Sequence, residues 1–201
     1  KDEMFFGSDA LAFVDHTSKV IFLEDGQMAK ITQDSLQIWD FHGKPINKKP
    51  TTLDWTSAAA EKSGYRHFML KEIHDQPAVM RKTCETFLNK NQLRHDALGT
   101  SQLDLNRIER IHIIGCGTAY LAGAVASYEL ERNLDLPVTV ELASEFRYRQ
   151  PFINDTTLII AMTQSGETAD TLACVKYAKE KNCQVYTICN VEHASIPRHS
   201  T

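Results

Sequence analysis

The chain has 201 residues, 42% of them hydrophobic and 24% charged, and a net charge of −4. That is chain enough for one or two globular domains of ~100–200 residues, each with an ordinary core. The slight negative balance, with no long basic run, gives no call for nucleic acid or an anionic membrane as a partner, and neither is expected; no apolar stretch approaches the ~20 residues of a membrane span.

The opening residues, Lys1-Asp2-Glu3-Met4-Phe5-Phe6-Gly7, lack the basic region and apolar core of a secretory leader, and they lack an initiator Met; the reading is a chain that begins inside a larger protein. Residues 1–50 are read as strands. Lys19 to Leu23 and Gln27 to Ile31 flank Glu24-Asp25-Gly26, and Asp-Gly between apolar runs predicts a hairpin, because glycine accepts the positive φ of the turn. A third run, Leu36 to Phe41, alternates up to His42-Gly43, which completes a β-meander. One antiparallel layer of this size needs a cover for its apolar face, so this segment reads as the tail of a larger domain.

Residues 44–64 are polar, with Pro45 and Pro50 among them, and predict a linker. Residues 65–100 carry Met69, Ile73, Val79, Met80 and Leu88 near helical spacing. Pro77 is expected to interrupt this pattern and to sit in the first turn of a second helix, where its missing N–H costs little. From residue 107 the pattern becomes strand–helix alternation. Strands are predicted at 110–114, 138–142, 157–162 and 184–189, and helices at 118–133 and 168–181, with another helix starting near Ser200-Thr201. The fold class is therefore α/β, a parallel doubly wound sheet flanked by helices and preceded by a short antiparallel β segment. The boundaries are 1–50 for the strand-rich segment, 51–100 for the linker and helical segment, and 101–201 for the α/β part.

The five cysteines, Cys84, Cys116, Cys174, Cys183 and Cys189, are odd in number and form no C-x-x-C pair, and the eight histidines form no H-E-x-x-H cluster. Reduced thiols are expected, with no disulfide framework and no metal site.

In open parallel sheets, ligands bind beyond the carboxyl ends of the strands, and two such ends carry chemistry. The first is Gly115-Cys116-Gly117-Thr118-Ala119-Tyr120. A dinucleotide fingerprint would need glycine where Tyr120 stands, although Glu141 could imitate its ribose-binding acid, so the spacing fails in mid-motif. A chain-reversing glycine turn and a small anion or sugar site are the readings left. The second end is Thr163-Gln164-Ser165-Gly166-Glu167-Thr168-Ala169-Asp170-Thr171. Thr163, Ser165 and Thr168 supply hydroxyl donors for a phosphomonoester, the loop supplies backbone N–H groups, and Gly166 allows close backbone approach. The plain alternative is helix capping by Ser165 or Thr168, which accounts for one hydroxyl rather than three. No Lys or Arg lies in this loop, and the Gly-Lys-Ser/Thr of a nucleotide-binding P-loop is missing. Glu167, at a helix start, is read as a dipole or capping group rather than a base. Lys176, Lys179 and Lys181 read as a solvated helix face.

Residues 163–171 resemble the signature loop of the SIS (sugar isomerase) family. Three further segments, Ala143 to Arg149, Tyr65 to Ile73, and Gly7 to Phe13 with Phe22 to Gly26, are similar to the glucosamine-6-phosphate synthase family (glutamine–fructose-6-phosphate transaminase, isomerising). The resemblance covers nearly the whole chain. It implies the end of an N-terminal-nucleophile glutaminase domain followed by the start of a sugar-phosphate domain. The parental activity would convert fructose 6-phosphate and glutamine to glucosamine 6-phosphate and glutamate, in a cytoplasmic homodimer that uses no metal or organic cofactor.

Carried over residue by residue, the resemblance implies that Cys116, Gly117, Thr118 and Ala119 form the first sugar-phosphate loop and that Thr163, Gln164, Ser165, Gly166 and Thr168 form the phosphate loop. Ala119 departs from the pattern, since many members have Ser there, and this removes one hydroxyl contact. Lys1 stands where the family's nucleophilic cysteine would be, and the family's Schiff-base lysine and acid–base residues belong to segments beyond this sequence. No catalytic residue is therefore expected here, and the isolated chain is expected to bind sugar phosphate weakly and to catalyse nothing. The rival reading is an SIS phosphosugar sensor without turnover, which would place a basic helix-turn-helix ahead of the module; the β-rich first residues argue against it, and their glutaminase-like motifs argue against a simple SIS isomerase.

Overall fold

The computed structural model describes residues 3–7, 10–13, 16–53, 62–90 and 92–200. The chain divides into two compact units, residues 1–82 and 83–201.

In the first unit, β1 (Lys19–Val20) pairs antiparallel with β5 (Thr51–Thr52). A three-stranded antiparallel sheet joins β2 (Gln27–Ile31), β3 (Leu36–Asp40) and β4 (Pro45–Ile46). The meander is present, but displaced by one strand from the sequence reading. The Asp25-Gly26 turn forms, with Gly26 at φ +82° and the Gln27 N–H donating to the Glu24 carbonyl at 3.1 Å. It does not, however, fold residues 19–23 onto β2. Residues 21–24 are not a strand, and β1 takes its partner from β5 instead. A turn motif fixes local direction only; partner choice follows long-range burial, here of Val20, Ile38 and Leu53. At the β3–β4 turn, the Asp40 carboxylate accepts the N–H groups of His42 and Lys44, both at 2.9 Å, an Asx-type arrangement. The stretch read as a linker contributes β4 and β5, and its residues 54–61 lie outside the described residues.

The helix α1 (Phe68–Phe87) runs unbroken with Pro77 inside it, so the expected interruption does not occur. Proline removes one backbone bond and costs ~3 kcal/mol. More than two helical turns remain on either side, and Lys71 and Asp75 add an i,i+4 ion pair at 2.6 Å on the N-terminal half. A short hairpin, β6 (Leu88–Asn89) with β7 (Gln92–Leu93), and a one-turn helix α2 (His95–Leu98) follow.

The second unit is built on four parallel strands: β8 (Arg110–Gly115), β9 (Val138–Leu142), β10 (Thr157–Thr163) and β11 (Gln184–Cys189). Their order is β11-β10-β8-β9, as the doubly wound reading anticipated. Both faces are covered, and the side chains sort with period two. Ile111, Ile113 and Leu158 pack on one face, with Leu130 of α3 (Thr118–Leu134). Ile114, Ile159 and Ala161 pack on the other, with Phe146 of α4 (Ala143–Arg149) and Cys174, Val175 and Ala178 of α5 (Ala169–Glu180). Periodicity did not reveal α4, a helix of two turns. The last helix, α6 (Ser195–His199), ends where the sequence reading had a helix beginning; Pro197 falls in its first turn, where proline is tolerated.

Candidate functional site

The chain lays down β8, then β9 on one side of it, then crosses back to place β10 on the other side and β11 beyond. The strand order thus reverses between β8 and β10, and the loops leaving their carboxyl ends diverge and open a crevice. The register sets Gly115 beside Met162, so the two loops emerge at the same level. A cleft of about 220 Å³ lies there, lined by Cys116, Thr118 and Ala119 from the first loop and by Met162, Thr163, Gln164, Ser165 and Thr168 from the second. At its base the Cys116 Sγ lies 3.9 Å from the Oγ1 of the fully buried Thr171.

Two of the cleft hydroxyls accept backbone N–H groups of their own loop. Thr163 Oγ1 accepts the Gly166 N–H at 3.1 Å, and Ser165 Oγ accepts the Glu167 N–H at 3.2 Å. A hydroxyl that accepts a backbone N–H still has its own proton to give. Thr168 occupies the N-cap position of α5 but makes no side-chain capping bond, and Ser165 closes a local turn rather than capping the helix, so capping does not account for these hydroxyls. Two of the loop N–H groups, those of Gly166 and Glu167, are spent on the loop's own side chains. The N–H groups of the first turn of α5 have no partner within the helix and carry the positive end of its dipole. Among the described residues no cationic side chain lines the cleft.

Gly117 and Gly166 shape the loops and do not line the cleft. Gly117 sits at φ +55° at the start of α3. Gly166, at φ +71°, is pressed against the chain itself: a Cβ there would meet the Ala194 Cβ at 2.3 Å and the Cys189 Sγ at 2.9 Å. The close approach it permits is to Cys189 at the end of β11 and to Ala194 beyond it. Met162 is a cleft residue that sequence reasoning missed; it lies within an apolar strand run and carries no polar signal.

The acid considered for a ribose contact is already engaged. Glu141 receives two hydrogen bonds from Arg149, one from Nε at 2.9 Å and one from Nη2, and these hold its carboxyl below the usual range. His112 Nε2 lies 3.2 Å from the same carboxylate without forming a well-directed hydrogen bond, and its ring meets Phe146 edge-on at 4.9 Å. Burial pushes the His112 pKa down, against the opposing pull of Glu141. The buried thiols of Cys174 and Cys183 are not activated nucleophiles. Burial pushes the Cys174 thiol up to about 12 and the Cys183 thiol up to about 11, the reverse of what a reactive thiolate needs.

Residues 104–201 match the family model described as SIS domain, and the described residues of this stretch carry the four-stranded parallel sheet. Along 98% of its length the chain is 44% identical to the glutamine–fructose-6-phosphate aminotransferases (isomerizing) of Corynebacterium efficiens and Caldanaerobacter subterraneus. It spans about a third of the length of these relatives, 32% and 33% respectively. Among solved structures, the C-terminal domain of glucosamine-fructose-6-phosphate aminotransferase from Francisella tularensis superposes with a TM-score of 0.63 at 38% identity, over 70% of this chain and 39% of that one.

Proposed function

We propose that the cleft between the β8 and β10 loops binds the phosphate and adjoining hydroxyls of a sugar phosphate, and that the chain is the corresponding part of a glutamine–fructose-6-phosphate aminotransferase. The observation that carries this reading is the convergence of Cys116 and Thr118 with Thr163, Gln164, Ser165 and Thr168 at the switch point of the sheet, with hydroxyl protons left to donate. A phosphomonoester offers several acceptor oxygens and suits such a donor-rich, cation-free cleft at a helix start. The likeness to aminotransferases whose names carry fructose 6-phosphate supports that sugar as the substrate and glutamine as the nitrogen source. Cys116, Gly117, Thr118, Ala119, Thr163, Gln164, Ser165, Gly166 and Thr168 are the binding residues in this proposal, Gly117 and Gly166 acting through loop shape.

On this reading residues 1–50 close a glutaminase domain, residues 51–100 link it to the sugar-phosphate part, and the parental enzyme is a cytoplasmic homodimer. The test is a nuclear magnetic resonance titration of the chain with fructose 6-phosphate. Shifts confined to residues 115–120 and 163–170, abolished by replacing Ser165 and Thr168 together with alanine, are the expected result. Identical titrations for the double variant and the parent sequence would sink the assignment.

A further inference from the structure

The loop that carries Gln164 to Thr168 is tied to its own helix at Thr168, whose carbonyl accepts the Leu172 N–H at 2.9 Å, and it is held from outside as well. That outside hold comes from the end of β11 and the segment that follows it. The Glu167 carboxylate accepts the Ser195 N–H at 2.7 Å through Oε1. One residue on, the Ile196 N–H donates to the Gly166 carbonyl at 2.9 Å. Between these two bonds, Gly166 lies so close to Ala194 that no side chain fits there. Cys189 Sγ lies 3.6 Å from the Gln164 carbonyl and 3.4 Å from the Val191 carbonyl, the two acceptors within reach of its single proton. Ile196, fully buried, anchors the far side of this clasp in the same core cluster as Val175 of α5. The side chain of Glu167 therefore turns away from the cleft, which it does not line, and satisfies an orphan N–H at the start of α6 instead of one at the start of α5.

We infer that Glu167 is a positioning residue for the sugar-phosphate site: by clasping the start of α6 it fixes the conformation in which Ser165 and Thr168 present their hydroxyls. This rests on the proposed function of the cleft. The physical reason is placement on both sides of one residue. Glu167 stands between the two donors, and its backbone N–H is held by Ser165 while its side chain is held by Ser195. Releasing the side chain frees the residue that joins the two hydroxyls, and hydroxyls that must be ordered on binding bind more weakly.

The experiment compares the chain with Glu167→Ala, Glu167→Gln and the Ser165→Ala/Thr168→Ala double variant. Fructose 6-phosphate affinity is read by resonance titration, amide exchange at Ser195 and Ile196 is followed, and the unfolding midpoint serves as control. Glu167→Ala is expected to weaken binding about tenfold or more and to accelerate exchange at Ser195. Glu167→Gln, which keeps an acceptor oxygen at the same reach, is expected to restore both, while the unfolding midpoint moves little in either. If the double variant loses binding while Glu167→Ala binds as the parent does, the clasp is overturned and the cleft assignment stands. If Glu167→Gln is as weak as Glu167→Ala, the acceptor role is overturned. If the parent sequence itself fails to bind the sugar phosphate, the cleft assignment is overturned and the inference falls with it.

Discussion

Replacing Gly166 with alanine tests the packing of the loop after β10 most directly. The backbone there is at φ +71°, which costs an L-residue roughly 1–2 kcal/mol. The added methyl would also stand 2.3 Å from the Ala194 Cβ and 2.9 Å from the Cys189 Sγ. Neither neighbour has a flexible chain end to withdraw, so overpacking adds roughly 1–3 kcal/mol. The matched control is Gly99→Ala, at φ +64° after α2, where a Cβ would meet nothing within 4 Å; it carries the backbone cost alone. Denaturant unfolding of both variants should place Gly166→Ala below Gly99→Ala by about 1–3 kcal/mol. Equal destabilisation of the two would refute the claim that the loop is pressed onto the segment after β11.

Three further outcomes follow from the same structure. Phe146, fully buried between the His112 ring and Tyr177, should cost about 3–5 kcal/mol when replaced by alanine, measured by thermal or denaturant unfolding. His112 has its pKa lowered by burial, so the unfolded chain binds more protons than the native one near and below the ordinary histidine value of ~6.5. Stability should therefore fall as the pH drops through that value, and His112→Asn should flatten this part of the profile; an unchanged pH profile would contradict the account. Alkylation of the native chain at mildly alkaline pH should label the exposed Cys84 well before Cys174 and Cys183, whose thiols burial keeps protonated, with mass spectrometry reading the order.

Local pattern was enough for the elements of the second unit. The apolar runs at 110–114, 157–162 and 184–189 are short and rich in β-branched residues, the first two are buried on both faces, and all three fold as strands within a residue of their expected ends. The glycine turn at 115–117 and the hydroxyl cluster at 163–168 also stood out by composition, because tight turns and hydrogen-bond donors need particular residue types. Where a claim depended on which segment meets which, sequence was silent or misleading. Asp25-Gly26 makes its turn, but β1 pairs with β5 at the other end of the segment. Pro77 ought to break a helix by local chemistry, yet the helix continues through it.

The amino-acid sequence thus determined the alternation of strands and helices and the two donor-bearing loops, since periodicity and turn chemistry act between near neighbours. Only the tertiary structure decided that β8 and β10 lie side by side, which brings Cys116 and Thr163 from distant positions to one cleft. It alone assigned Gly166 to packing and Glu167 to the start of α6, because the partner of a buried backbone group or a charged side chain is chosen by proximity in the folded chain, and that proximity is a property of the whole sheet.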